Sequence, residues 1–190
     1  MDQYYCSEKL KFFSIKHHNY SFMNDKIMKE IQGVSCSRDY KMYDNKDTNI
    51  KALQTSGPIK SHSLSLLRKW IKNMVVESRI MIDPIISDYW MAFYRKGDYT
   101  VPHYHIPALY AFNYFIKTPK GSSPFVFTTS KTIIKPEEGT LLIFPSFLIH
   151  EVPKNECDDR VIFAGNLVDN APYSLSKGFF NTKKDSGSFQ

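Results

Sequence analysis

The second half of the chain reads as a series of short β-strands, and this pattern constrains the fold more than any other feature of the sequence. From residue 80 onwards, runs of β-branched and aromatic residues are separated by turn-forming segments such as Pro136-Glu137-Glu138-Gly139. Short strands at this spacing favour a β-sandwich or a β-barrel. The expected strands cover residues 80–82, 89–94, 109–116, 123–128, 140–144 and 161–167.

The first part of the chain predicts helices and loops that pack outside the strands. A short strand is expected at 12–15. Apolar residues at helical spacing predict a helix from Asn24, capped by Asn24 or Ser21, that ends at Gly33. A longer amphipathic helix is predicted over 61–79. Residues 35–60 have no sustained periodicity, so we expect a long loop there.

Length and composition fit one domain with a substantial core. The chain has 190 residues, of which 42% are hydrophobic and 15% aromatic, which excludes wholesale disorder. We expect residues 1–190 to form a single domain. Its parts are an N-terminal helical and loop support region at 1–79, a β core at 80–168 and a C-terminal tail at 169–190.

The net charge and the number of cysteines limit the expected binding partners and cellular compartment of the protein. The net charge of +6 is spread along the chain without dense basic blocks, so it permits an anionic partner but does not predict nucleic-acid binding. Three scattered cysteines argue against a disulfide framework and fit a reducing cytoplasm. No apolar leader is visible at the start, and the longest apolar run, 141–149, is too short to span a bilayer. We therefore expect a soluble cytoplasmic protein with no membrane association.

Three histidines have the spacing of a metal site. Residues i and i+2 of a strand point to the same face, so His103 and His105 can converge on one point. His150 follows 47 residues later, far enough for the chain to run several strands and return. Imidazole is the commonest metal ligand in proteins. The alternative interpretations are buried histidines with hydrogen-bond partners in the core, or histidines on a polar strand surface. The other three histidines of the chain are predicted to be surface residues: His17, His18 and His62.

The residues around these histidines carry a family resemblance. Tyr94-Arg95-Lys96-Gly97 precedes His103, the segment from Gly139 through Phe144-Pro145-Ser146 ends at His150, and Arg160 follows ten residues later. This pattern resembles the Fe(II)/2-oxoglutarate-dependent oxygenases, in which a Y-x-x-G turn precedes H-x-D/E. A G-x-L-x-x-F-P segment, a second His and a basic residue follow in that family. The chain looks most similar to small prolyl-hydroxylase-like proteins of marine phage genomes, several with an H-x-H variant, over about residues 88–168.

The resemblance implies a mainly β (α+β) fold, a double-stranded β-helix of the jelly-roll or cupin-like type with flanking N-terminal helices. His103 and His150 match the family's iron-binding histidines, and His105 stands where the family has a carboxylate. Arg160 matches the residue that pairs with the distal carboxylate of 2-oxoglutarate, a role suited to its planar guanidinium. Without the family spacing, Arg160 also fits an ordinary surface residue beside two aspartates.

Two further residues are expected near the cosubstrate, Tyr94 and Asn113. Asn113 interrupts an aromatic strand, and an inward-facing polar group needs a partner. That partner is either the cosubstrate or a backbone group.

The implied activity is hydroxylation of a C–H bond, with peptidyl proline as the substrate suggested by the family. Fe(II), 2-oxoglutarate and O₂ are the implied metal, cosubstrate and oxidant, and 2-oxoglutarate is oxidised to succinate and CO₂. The partners would be this small-molecule cosubstrate and a peptide or protein substrate, with the loop at 35–60 as a lid. If the chain is viral, the compartment would be the host cytoplasm.

Two departures from the family pattern keep other functions open. His105 in place of a carboxylate leaves three neutral ligands, so a bound Fe(II) would keep its charge of +2 before cosubstrate binding. The family's Arg-x-Ser is here Arg160-Val161-Ile162, which lacks the serine. One alternative is a cupin-type three-histidine metalloenzyme that does not use 2-oxoglutarate, although the Glu that a cupin has after its second histidine is missing after His105. The other is a non-catalytic barrel that serves as a binding module.

Overall fold

The structure is a computed structural model that describes residues 10–34, 36–37, 49–55 and 59–170. These residues form two helices and two antiparallel sheets. The helices are α1 (Tyr20–Glu30) and α2 (His62–Glu77). The strands are β1 (Phe13–Lys16), β2 (Cys36–Ser37), β3 (Ile50–Lys51), β4 (Leu53–Thr55), β5 (Pro84–Tyr94), β6 (Tyr99–His103), β7 (Tyr110–Lys117), β8 (Phe125–Phe127), β9 (Thr132–Ile134), β10 (Thr140–Pro145), β11 (His150–Val152) and β12 (Arg160–Asp169).

The strands form a larger sheet, in the order β1-β10-β7-β12-β5-β4-β2, and a smaller sheet, in the order β3-β6-β11-β8-β9. Side chains alternate between the two faces of the larger sheet, so each face contributes to its own hydrophobic core. On β10, for example, Leu141 and Ile143 pack toward the helices, whereas Leu142 and Phe144 pack between the two sheets. The predicted mainly β architecture with helices outside is confirmed.

Helix α2 confirms the stronger of the two helix predictions. Ser61 caps it, because the Ser61 hydroxyl oxygen accepts a hydrogen bond of 2.9 Å from the Leu64 amide. The Glu30 carboxylate, at the end of α1, accepts hydrogen bonds from the Ser61 hydroxyl and from the amide and hydroxyl of Ser63. These bonds lower the pKa of Glu30 to about 2 and tie the end of α1 to the start of α2.

Helix α1 begins at Tyr20, so the predicted start at Asn24 is wrong. Asn24 lies inside the helix with its side chain buried against the larger sheet. Its Nδ2 donates to the Ile116 carbonyl oxygen at 2.7 Å, and its Oδ1 accepts from the Tyr114 hydroxyl at 3.0 Å. The side chain that a sequence pattern assigns to capping is therefore used to join the helix to β7.

Two other predictions are corrected near the first strands. Residues 80–82 are not a strand. They follow a turn at 78–79, where Arg79 has a φ of 56°, and the strand begins at Pro84. The expected loop at 35–60 contains paired strands, since β2 pairs with β4, β4 with β5 and β3 with β6. The rest of that loop (35, 38–48 and 56–58) and the tail from 171 to 190 lie outside the described residues.

None of the helices in the described ranges combines the length and apolar character that crossing a membrane requires.

Candidate metal centre

Three histidines meet where β6 and β11 pair. His103 is the last residue of β6 and lies opposite His150, the first residue of β11, in the antiparallel register. His105 follows two residues after His103, and its amide donates to the Ser146 carbonyl oxygen at 2.7 Å, which fixes the loop. One ligand nitrogen from each ring lies within 4.8 Å of the other two. The predicted convergence of the three histidines is confirmed.

Hydrogen bonds set the orientation of two of these rings. His103 Nδ1 lies 2.9 Å from the Val101 carbonyl oxygen, and His150 Nδ1 lies 2.9 Å from the Leu148 carbonyl oxygen. Because a carbonyl only accepts, both Nδ1 atoms carry the proton and both Nε2 atoms keep a free lone pair. His105 Nε2 lies 3.2 Å from His150 Nε2 and faces the same point.

Burial keeps the three rings neutral. Burial and then the charge of His103 lower the pKa of His105 to about 4, and the same two causes lower that of His150 to about 2. The pKa of His103 is also below its ordinary value because of burial. A neutral imidazole is the form that binds a metal ion. The cluster is therefore preset for cation binding at neutral pH.

A pocket of about 350 Å³, counting its open mouth, lies between the two sheets and is lined in part by the three histidines. The lining residues include no Asp or Glu: Ile50, Trp90, Tyr94, Thr100, His103, His105, Phe112, Asn113, Phe125, Phe144, His150, Val152, Ile162 and Ala164. With a divalent cation bound, this neutral lining would favour an anionic ligand.

Arg160 is fully buried at the start of β12, and its guanidinium has no hydrogen-bond partner at Nε, Nη1 or Nη2 among the described residues. It lies opposite Tyr94, with Cζ 4.5 Å from the centre of the Tyr94 ring. Burial lowers the pKa of Arg160. The alternative of a surface arginine is wrong. The Asp159 carboxylate instead pairs with Lys117 at 3.3 Å. A buried cation without a partner is costly, so the position calls for an anion.

Tyr94 and Asn113 both line the pocket. The Tyr94 hydroxyl is hydrogen-bonded to the Thr100 hydroxyl at 2.6 Å. Asn113 Nδ2 is shielded from solvent and has no partner among the described residues, so no backbone group of those residues accepts from it. The roles assigned to these residues and to Arg160 remain predictions.

Sequence reasoning missed two residues beside the histidines. Trp90 stacks on His105, with ring centroids 5.8 Å apart, and its Nε1–H is buried without a partner in the part of the chain that the structure describes. Asn166, on β12, lies beside His105 and opposes the lowering of that residue's pKa. Alternation from Tyr94 places Trp90 on the inner face, but no sequence signal marks Asn166.

The remaining histidines lie on the helical side of the larger sheet. The prediction that His17 is a surface residue is wrong, because its side chain is buried and meets the Trp70 ring edge-on at 4.6 Å. Its Nδ1 accepts a hydrogen bond from the Asn19 amide. His18 and His62 are exposed as predicted.

No protein-family model and no curated protein matches the chain. Solved structures do match. The viral collagen prolyl hydroxylase of Paramecium Bursaria Chlorella virus-1, in complex with 2-oxoglutarate, aligns with a TM-score of 0.64 and 17% identity, covering 82% of this chain and 94% of that chain. A Pseudomonas putida prolyl-4-hydroxylase aligns with a TM-score of 0.62 and 10% identity, over 84% and 93% of the two chains.

A third match is the Trichoplax adhaerens prolyl hydroxylase in complex with a peptide fragment of the hypoxia inducible factor oxygen degradation domain. It aligns with a TM-score of 0.62 and 16% identity, over 82% of each chain. At these identities the comparisons establish a shared architecture. They confirm the double-stranded β-helix and the predicted structural resemblance to the 2-oxoglutarate oxygenases.

Proposed function

We propose that this protein is an Fe(II)- and 2-oxoglutarate-dependent oxygenase that hydroxylates a C–H bond of a peptide or protein. The observation that carries the proposal is Arg160, a fully buried cation whose three guanidinium nitrogens have no hydrogen-bond partner within the described ranges. Ile162 and Ala164, the next residues on the same face of β12, line the pocket that contains the three histidines. An acid that reaches from a metal ion on the histidines to Arg160 would give this buried cation its partner.

His103, His105 and His150 would hold the Fe(II). Their neutral nitrogens suit a divalent cation, and three protein ligands leave open coordination positions. Fe(II) together with 2-oxoglutarate and O₂ supplies oxidative decarboxylation coupled to hydroxylation. The phenylalanines beside His150 exclude water, because Phe125 stacks on its ring at 4.9 Å and Phe144 meets it at 4.8 Å.

Arg160 would bind the distal carboxylate of 2-oxoglutarate through paired charge-assisted hydrogen bonds. Its ring contact with Tyr94 fixes the guanidinium plane, while the Tyr94 hydroxyl is held by Thr100. Asn113 lines the same pocket, and its buried Nδ2 would donate to an oxygen of the cosubstrate. These side chains orient the acid but transfer no proton to it.

A peptide with an accessible proline is the proposed substrate. The solved prolyl hydroxylases of similar fold support this choice, one of them with a peptide bound. On this chain, the exposed apolar side chains of Tyr104, Ile106 and Phe147 lie on the loops that carry His105 and precede His150. They would form the apolar mouth that a proline-containing segment contacts.

A reducing cytoplasm is the proposed compartment. The described cysteines Cys36 and Cys157 are both free thiols. Reducing conditions also keep iron in the Fe(II) state that the proposed reaction requires.

The test is an anaerobic titration of the metal-free protein with Fe(II) and then with 2-oxoglutarate, followed by visible absorption. Bidentate chelation of iron by a 2-oxo acid gives a weak charge-transfer band, and we expect that band in the wild type. Arg160→Met should bind Fe(II) normally but lose at least about 30-fold in 2-oxoglutarate affinity, or ~2 kcal/mol. Arg68→Met is the matched control, because Arg68 also covers a tyrosine ring, that of Tyr89 at 4.6 Å, on the helical side.

The other results would select the alternatives. Iron binding without the charge-transfer band would favour a cupin-type three-histidine metalloenzyme that does not use 2-oxoglutarate. Absence of metal binding would leave a non-catalytic binding module. Equal losses in the Arg160 and Arg68 variants would show that Arg160 acts through stability alone.

A further inference from the structure

A second groove shares Phe147 with the apolar mouth of the histidine pocket. It has a volume of about 830 Å³, counting its open side, and four segments of the chain form its walls. These segments are the start of β1 with the residues before it, the turn after α2, the start of β7, and the end of β10 with the turn that follows. Its apolar lining includes Leu10, Phe13, Ile80, Leu109, Pro145 and Phe147.

Hydrogen bonds join this groove to the loop that carries His105. Ser146, which precedes Phe147, is buried, and its carbonyl oxygen accepts from the His105 amide at 2.7 Å. The Ser146 amide donates to the Leu109 carbonyl oxygen at 3.1 Å. Leu109 and Phe147 are 53% and 50% exposed, so both side chains are available to a ligand. The groove is therefore fixed relative to the three histidines, and a chain bound in it can continue to their pocket.

The groove combines this apolar lining with positive charge. Lys11 lines it from the segment before β1 and Arg79 from the turn after α2, and both residues are exposed. Neither cation forms an ion pair within the described ranges, and the described lining includes no Asp or Glu. An apolar segment that also carries carboxylates therefore complements the groove.

Arg79 occupies a backbone position that favours glycine. Helix α2 ends in a Schellman motif, in which the Arg79 amide donates to the Val76 carbonyl oxygen at 2.9 Å. The second bond of the motif runs from the Ile80 amide to the Val75 carbonyl oxygen at 3.3 Å. Glycine is the usual residue at this left-handed position, whereas Arg79 adopts it with a φ of 56°. A strained position that retains a long cationic side chain points to a function of that side chain.

We propose that this groove binds the part of a substrate peptide that flanks the hydroxylated residue, and that this part is apolar and acidic. Lys11 and Arg79 would bind its carboxylates, while Leu109 and Phe147 would contact its apolar side chains. This inference rests on the proposed function in taking a peptide as the substrate. It extends that function by assigning substrate selection to a surface outside the histidine pocket.

Charge favours this occupant over two others. A second copy of the chain carries the same net charge of +6, and residues 171–190 contain three lysines and one aspartate. Both would bring further positive charge to a groove that already contains Lys11 and Arg79. An acidic peptide brings charge of the opposite sign.

The test measures peptide binding to the full chain, with Zn(II) in place of iron so that no turnover occurs. The probes are short fluorescein-labelled peptides with a central proline, flanked on both sides by leucines and glutamates. In the control peptide, glutamine replaces each glutamate. By fluorescence anisotropy at low ionic strength, the wild type should bind the glutamate peptide about 3- to 10-fold more tightly than the control. Added salt should reduce this preference.

Three variants assign the preference to the groove. Arg79→Gly removes the cation and relieves the left-handed strain, so it should lose most of the preference while Tm stays the same or rises. Lys131→Gly is the matched control, because Lys131 is an exposed cation with a φ of 57° in the turn between β8 and β9, and it should keep the preference. Phe147→Ala should weaken both peptides about 10-fold, because it removes apolar contact without changing charge.

The outcomes separate this inference from the proposed function. Equal wild-type affinity for the two peptides, or an equal loss of preference in Arg79→Gly and Lys131→Gly, would overturn the inference and leave the oxygenase function standing. A wild type that prefers the glutamate peptide but does not bind 2-oxoglutarate would overturn the oxygenase function and support the groove.

Two further results would assign the groove to another occupant and so overturn the inference. The first is self-association of the wild type that Phe147→Ala abolishes, which would indicate a second copy of the chain. The second is a preference for the glutamate peptide that emerges only when residues 1–9 are replaced by a Gly–Ser segment, which would indicate the start of this chain.

Discussion

Replacing Asn24 by Ala should destabilise the protein more than an ordinary substitution in a helix. The change removes two hydrogen bonds between α1 and β7 and leaves the fully buried Tyr114 hydroxyl without a partner. An orphaned buried polar group costs about 1–3 kcal/mol, and the Ile116 carbonyl also loses a donor. Alanine recovers about 0.6 kcal/mol of helix propensity. The net loss in the free energy of unfolding is therefore about 2–3 kcal/mol.

Urea denaturation measures this loss, and for a chain of this size it corresponds to a fall in Tm of about 5–10 °C. Asn19→Ala is the matched control, because Asn19 precedes α1 without making a side-chain capping bond and should change stability by less than about 0.5 kcal/mol. In the double variant with Tyr114→Phe no hydroxyl is orphaned, so its cost should be at least about 1 kcal/mol below the sum of the single costs. Strict additivity would refute the reasoning.

Three further predictions follow from other parts of the molecule. The hydrogen bonds to Glu30 lower its pKa from 4.5 to about 2, so the stability that they give is complete above pH 4.5 and is lost as the pH falls toward 2. Glu30→Gln should therefore flatten the acid-unfolding curve between these two pH values. Gly139→Ala should lower Tm more than Gly97→Ala. Both glycines have positive φ, but only at Gly139 would a Cβ clash with the Tyr20 side chain, so equal losses would contradict the steric argument. Zn(II) at 100 times its Kd should raise the free energy of unfolding of the wild type by about 2.7 kcal/mol, and a chelator should reverse this gain. A similar gain in His103→Ala would disprove binding at the three histidines.

The features visible in the sequence are those with a local signature. Runs of β-branched and aromatic residues between turns marked four of the longer strands, β5, β7, β10 and β12. The apolar repeat with Ser61 marked α2 to within a residue or two. The spacing of His103 and His105 indicated a shared direction, and the Gly139 to His150 segment placed the third histidine opposite them. These signals depend on residues close together in the chain.

The features that sequence analysis missed depend on distant partners. Asn24 is a helix residue only because β7 offers it a carbonyl and a hydroxyl, and His17 is buried only because Trp70 lies over it. Asn166 and Asp88 are 78 positions apart. Strands β3 and β4 have two and three residues, too few to show a period.

The two halves of the candidate site belong to different sheets. His103 and His150 lie on the smaller sheet, whereas Arg160 and Asn113 lie on the larger one. A ligand that bridges them would connect the two sheets directly, in addition to the apolar packing and the Tyr94–Thr100 hydrogen bond that already join them. Hydrogen exchange should then slow in β6 and β12 together, and only when metal and acid are both present. Under the proposed function the two halves would also be separable, because the anion bound by the larger sheet could be redesigned without changing the cation bound by the smaller sheet.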